Sequence, residues 1–292
     1  QSQTDAERAI YVTRLQEYMI KVAREASRFT NWVNPDEPYE AALTKFIAGL
    51  ITPRRSRLFL EDFETFVDQL VPAGLTNALA QQALKLTSPG VPDIYQGTEF
   101  WDDSLVDPDN RRAVDFAERS DLLSHTSEQP IGNFSSDPST DALKLVVTAR
   151  ALGVRAANPE LFARGDYVAL TVEGPMASRV IAYARVLGDD VAVVVVPRLV
   201  MGLTSWEGTT VLLPENIART DYIEAFSQRT MPVVTSENGD GGCVRLDVQE
   251  LFATAPVALL TALPKDAPPS DKTAGKTNSR PRQRGESKSV RR

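Results

Sequence analysis

The residues with the densest chemistry lie between Ser88 and Phe116, in the segment SPGVPDIYQGTEFWDDSLVDPDNRRAVDF. Asp93, Tyr95, Gln96, Glu99, Asp107, Asp109, Asn110, Arg111 and Arg112 are planar or multidentate hydrogen-bonding groups of the kind that take sugar hydroxyls. Tyr95 and Trp101 add rings that could stack on a sugar. The same residues would equally make a structural ion-pair network that shapes the loop around Arg111 and Arg112. Calcium is a weak option, because the aspartates from Asp102 to Asp109 lack the glycine-centred spacing of an EF-hand. The chain has one histidine, His125, and one cysteine, Cys243. Multi-histidine metal sites, Cys/His zinc sites and an intrachain disulfide are therefore excluded, which fits a reducing compartment. His125 reads as an ordinary polar loop residue, and Cys243 as a small apolar core residue in a strand.

Elements must hold this segment in place. Val91 to Tyr95, between two prolines and a glycine, predicts a short buried strand entered by a turn. Gln96 to Pro138 reads as a long polar loop, and long ordered loops often carry function. Upstream, Tyr11, Leu15, Tyr18, Val22, Ala26 and Phe29 recur at helical spacing, with Thr4 and Glu7 placed for a capping box. Tyr39–Leu50, Leu58–Leu70 and Asn77–Leu86 read as three more helices, and Asp141–Ala157 as another. From Gly165 the period becomes two. The expected strands are Tyr167–Val172, Arg179–Val186, Val191–Pro197, Thr209–Leu213, Cys243–Val248 and Val257–Thr261, an antiparallel sandwich. Trp206 reads as packing within it.

Composition bounds the reading. The 292 residues are 42% hydrophobic and 24% charged, enough apolar material for a globular core. The net charge is −7, but Lys265 to Arg292 carries +6, leaving −13 for the rest. That acidic body argues against nucleic acid or an anionic membrane as partner. The basic end has no aromatic and one aliphatic residue beyond alanine, and reads as a disordered tail. The longest aliphatic run, Val191 to Val196, is far too short to span a membrane.

The segment PGVPDIYQGTE resembles the eighth barrel strand of the α-amylase superfamily. The continuation LVDPDNRR and VDF is more particular, and resembles the maltooligosyl trehalose synthases of that superfamily. Upstream YMIKVAREASRFTNW and YEAALTKF, and downstream NPELFARGDY, VIAYAR, VAVVVVPRL and APVALL, are similar to the same family. The resemblance covers roughly residues 6 to 263. Ala113 departs from it, standing where the family usually has proline.

The resemblance implies an α/β plus all-β fold: part of a (β/α)8 barrel followed by an antiparallel β-sandwich. Residues 1–86 would be a helical region before the last barrel strand. Residues 87–157 would hold that strand, the substrate-side loop and a closing helix. Residues 158–263 would form the sandwich, and 264–292 the tail. A complete barrel takes about 250 residues, so this chain is expected to be a C-terminal portion. The implied activity is intramolecular transglucosylation, turning the reducing-end α-1,4 bond of a maltooligosaccharide into an α,α-1,1 trehalose bond. The implied mechanism resembles that of retaining glycosidases, with an Asp nucleophile and a Glu acid/base. Those carboxylates would lie on strands four, five and seven, so no residue here inherits a catalytic role, Asp93 and Glu99 included.

Tyr95, Gln96, Glu99, Asp107, Asp109, Asn110 and Arg111 would line or buttress the glucose subsites. No metal or organic cofactor is implied. The expected partners are a maltooligosaccharide and the preceding barrel portion, and the expected location is the cytoplasm. The rivals are a non-catalytic maltooligosaccharide-binding fragment and an α-glucan hydrolase of the same superfamily.

Overall fold

The computed structural model describes residues 4–135, 139–219, 221–232, 234–235 and 244–262. Cys243 and the basic tail from residue 264 lie outside the described residues. Helix α1 (Asp5–Ala26) opens on the expected capping box: the Thr4 hydroxyl accepts from the Glu7 N–H, and the Glu7 carboxylate accepts from the Thr4 N–H. Helix α2 (Glu37–Leu50) is capped by Asp36 and starts with Pro38 in its first turn, where a missing N–H costs nothing. It packs against α1.

The two helices expected over Leu58–Leu70 and Asn77–Leu86 are one, α3 (Pro53–Thr87), which bends at Ser56 and runs through Pro72. Proline there removes the donor for the Asp68 carbonyl. That stretch is exposed, so solvent can satisfy the orphaned oxygen. Only the C-terminal part of α3, from Leu79 to Thr87, is buried.

The expected strand at Val91–Tyr95 is absent. These residues have no regular structure, and Val91 is 95% exposed. An extended segment becomes a strand only when its N–H and C=O groups meet a ladder partner, and no described strand pairs with this one. The expected loop at Gln96–Pro138 is also partly helical. It contains a 3-10 turn at Asp109–Arg111, then α4 (Phe116–Thr126) and α5 (Gly132–Ser135). The Asp115 side chain caps α4 by accepting from the Glu118 N–H, a signal present in the sequence. His125 therefore sits on a helix. Helices α6 (Asp141–Ala157) and α7 (Pro159–Arg164) follow.

The remainder is antiparallel sheet. The strands in chain order are β1 (Asp166–Ala169), β2 (Thr171–Glu173), β3 (Val180–Leu187), β4 (Asp190–Pro197), β5 (Thr210–Leu213), β6 (Asp221–Glu224), β7 (Arg229–Pro232), β8 (Val234–Thr235), β9 (Val244–Asp247) and β10 (Ala258–Ala262), with a helical turn α8 (Val248–Leu251) after β9. One sheet runs β1-β3-β4-β10-β6-β7 and the other β2-β5-β9-β8. The single strand expected over Tyr167–Val172 is two, because the chain changes sheet at Leu170.

Strand β4 explains the valine run. Ala192, Val194 and Val196 face a core shared with α3 and α6, while Val191, Val193 and Val195 face a core shared with the second sheet. Both faces are buried, so alternation gives way to a continuous apolar stretch. Arg185 of β3, 1% exposed, joins the layers by donating to the Thr87, Phe162 and Gly165 carbonyls. These lie at or beside the C-termini of α3 and α7, where partial negative charge offsets a buried guanidinium.

Candidate functional site

The polar segment leaves the end of α3 under tight control. Arg155 of α6 donates to the Leu86 carbonyl at 3.0 Å and the Gly90 carbonyl at 2.8 Å. The chain then turns at Tyr95, whose carbonyl accepts from the Thr98 N–H and hydroxyl. Gly97 has φ +87°, and a Cβ there would stand 3.1 Å from the Val114 side chain. The positive φ favours glycine, and an added Cβ would press on the Val114 side chain. Phe100 is buried, and the Lys144 ammonium reaches its carbonyl at 2.7 Å. Burial holds the Lys144 pKa below its ordinary value. The Trp101 indole N–H is committed to the Thr140 carbonyl at 3.0 Å, and its ring packs against the core. Trp101 is therefore a packing residue here, not an open platform for a sugar.

Asp109 is the hub of the loop. Arg14 of α1 grips it with both arms, Nε to Oδ1 and Nη2 to Oδ2 at 2.8 Å each. The Leu105 N–H donates to the same carboxylate at 2.7 Å. The Asp109 side chain is only 8% exposed. The Arg14 hydrogen bonds hold its pKa at about 2, with the Leu105 N–H adding to the effect. Arg14 also donates to the Asp103 carbonyl, so one α1 side chain fastens two points of the loop. Arg112 closes the turn by donating to the Asp109 carbonyl and the Ser104 hydroxyl.

The remaining expected residues divide by exposure. Arg111 and Asp107 form an exposed ion pair at 2.6 Å. Arg111 holds the Asp107 carboxyl below the usual range, and Asn110 contributes less. Tyr95 is 47% exposed. Gln96 and Asp93 are exposed. Glu99 is half-buried and paired with Arg119 at 3.3 Å. Arg119 also donates to the Gly97 carbonyl and lies over the Phe100 ring. The Asn110 Oδ1 is buried and has no hydrogen-bond partner among the described residues.

Arg14 and Arg119, which hold the loop, escaped the sequence reading. Arg14 is 95 residues from its partner, and nothing local in a helical face marks it. Trp206 packs edge-on against Phe252, as expected. His125 is exposed on α4, with Nδ1 2.7 Å from the Asp121 carbonyl. Among the described residues, no three His, Cys, Asp or Glu side chains gather as a metal site.

No family model matches the chain. Comparison with individual proteins is informative. A Mycobacterium tuberculosis protein, named "Putative maltooligosyl trehalose synthase" in two strains, is 36% identical over 249 residues, or 85% of this chain. A solved structure of maltooligosyltrehalose synthase from Arthrobacter ramosus superposes with a TM-score of 0.68 at 37% identity, again over 85% of this chain. The chain is similar to the maltooligosyl trehalose synthases over most of its length. A Sulfolobus tokodaii hypothetical maltooligosyl trehalose synthase matches with a TM-score of 0.57 and 26% identity. The chain spans about 28% of the length of the curated maltooligosyl trehalose synthases it matches, and 30% of the Arthrobacter one. The resemblance first carried by the VDPDNRR loop and its flanking blocks thus extends over most of the chain.

Proposed function

We propose that this chain serves as the C-terminal part of a maltooligosyl trehalose synthase and forms one wall of its glucan site. The observation that carries the reading is the match at 36% identity over 249 residues. The reaction is an intramolecular transglucosylation. The terminal α-1,4 bond at the reducing end breaks, a carboxylate holds the glycosyl unit covalently, and the freed glucose returns through its anomeric hydroxyl to give an α,α-1,1 bond. The carboxylates that do this belong to barrel strands preceding the segment seen here, and this chain by itself leaves the sugar unchanged. Val91–Tyr95 becomes the last barrel strand when those strands lie beside it, and the two antiparallel sheets form the C-terminal sandwich. Residues 1–86, 87–157 and 158–263 then keep the divisions that the sequence predicts. A cytoplasmic location belongs to the same proposal. No helix among the described residues is long and apolar enough to cross a membrane.

Within the wall, exposure separates two roles. Tyr95, Gln96, Asp107 and Arg111 are open enough to meet glucose hydroxyls and a ring face. Asp109, Glu99 and Asn110 set the loop's shape, the first two through Arg14 and Arg119. Maltopentaose titrated into the chain tests this. Tyr95→Ala and Arg111→Ala should each weaken saturable binding about tenfold while leaving the melting temperature unchanged. Unchanged binding in both variants would remove the pocket role from these residues.

A further inference from the structure

Asp107 and Pro108 also line a cleft of about 610 Å³ whose other walls come from α1, α2 and the turn between them. Its volume falls in the range of small-molecule sites. Its lining is apolar at Ile20, Trp32 and Pro108 and carries the charged side chains of Glu17, Lys21 and Asp107. The Trp32 side chain is 58% exposed, unlike the packed Trp101 and Trp206.

Trp32 is exposed yet held. The Arg24 guanidinium lies 5.0 Å over its ring. Arg24 is in turn clamped by the Glu40 carboxylate at 2.8 and 2.6 Å, and Glu40 accepts from the Thr30 hydroxyl at 2.6 Å. These bonds draw the Glu40 pKa to about 2, Arg24 first and Thr30 second, so the clamp stays charged at neutral pH. A ring fixed by a buttress rather than by burial loses little freedom when a ligand lands on it. The charges also select. Lys21 is paired with Glu25 and Asp107 with Arg111, so the lining offers no unpaired cation to an anion and suits a neutral polyhydroxylated ligand. Continuity through Asp107 joins the cleft to the Tyr95–Arg111 wall.

We propose that this cleft is a second glucan subsite, in which Trp32 stacks on a glucose ring while Glu17, Lys21 and Asp107 take its hydroxyls. The inference rests on the reading that this chain meets an α-glucan, and it adds a place where chain length is sensed. Maltoheptaose titrated into the chain, with the three tryptophan indole N–H signals followed by NMR, tests it directly. The Trp32 signal should shift saturably while those of Trp101 and Trp206 stay in place. Trp32→Ala should weaken binding about tenfold, Trp32→Phe should restore most of it, and Arg24→Ala should weaken it without removing the ring. The gain in affinity from maltotriose to maltoheptaose should vanish in Trp32→Ala. A stationary Trp32 signal, or equal affinities for wild type and Trp32→Ala, overturns the subsite. If Tyr95→Ala weakens binding and Trp32→Ala does not, the subsite fails and the function stands. The reverse pattern keeps the subsite and removes the Tyr95 wall.

Discussion

Asp109 has its charge fixed by Arg14, Leu105 and Arg112, and its chemistry is that of an anchor. Charge-assisted hydrogen bonds are worth about 1.5–3 kcal/mol each when buried, so Asp109→Ala should destabilise the chain by about that much in chemical denaturation. Arg14→Ala should match it, and the double variant should cost little more than either alone. The pH dependence follows from the lowered pKa. The folded-state value of about 2 lies below the ordinary aspartate value, so the stabilisation is complete above about pH 4. It is lost as pH falls through about 2. Asp109→Asn should flatten that acid limb of a thermal melt. Asp109 and its neighbours were legible from the sequence as a cluster that either binds sugar or shapes a loop. Which of them are tied into ion pairs from outside the loop was not, because the partners, Arg14 and Arg119, sit on helices that give no local hint of them.

At the level of elements, burial on both faces accounts for the valine run of β4. Val194→Ala removes two methyl groups from a site with no exposure and should cost about 2 kcal/mol. Arg185→Met should cost about 3 kcal/mol, because it strands the Thr87, Phe162 and Gly165 carbonyls in the interior. Urea denaturation measures both, with unchanged m-values if the fold is kept. Helices α1, α2 and α6 and most strands were legible because their apolar periods are strong. The misreadings have specific causes. Pro72 falls between the two expected helices, and the one helix runs through it where the backbone is open to solvent. Leu170 separates two strands of different sheets, and a change of sheet leaves no trace in an alternating pattern. Val91–Tyr95 has the composition of a strand, but a strand also needs a neighbour.

For the molecule as a whole, the loop from Tyr95 to Arg112 is fastened to α1 through Arg14, and α3 and α6 pack together on the six-stranded sheet. Under the proposed function, the loop completes a glucan transglucosylase whose reacting carboxylates lie on preceding barrel strands. The most direct measurement joins this chain, in place of the matching segment, to the remainder of the Arthrobacter ramosus maltooligosyltrehalose synthase and follows the reducing ends of maltopentaose. The joined enzyme should consume reducing ends without releasing glucose, and this chain alone should leave them untouched. A folded but inert joined enzyme, or consumption of reducing ends by the chain alone, would contradict the account.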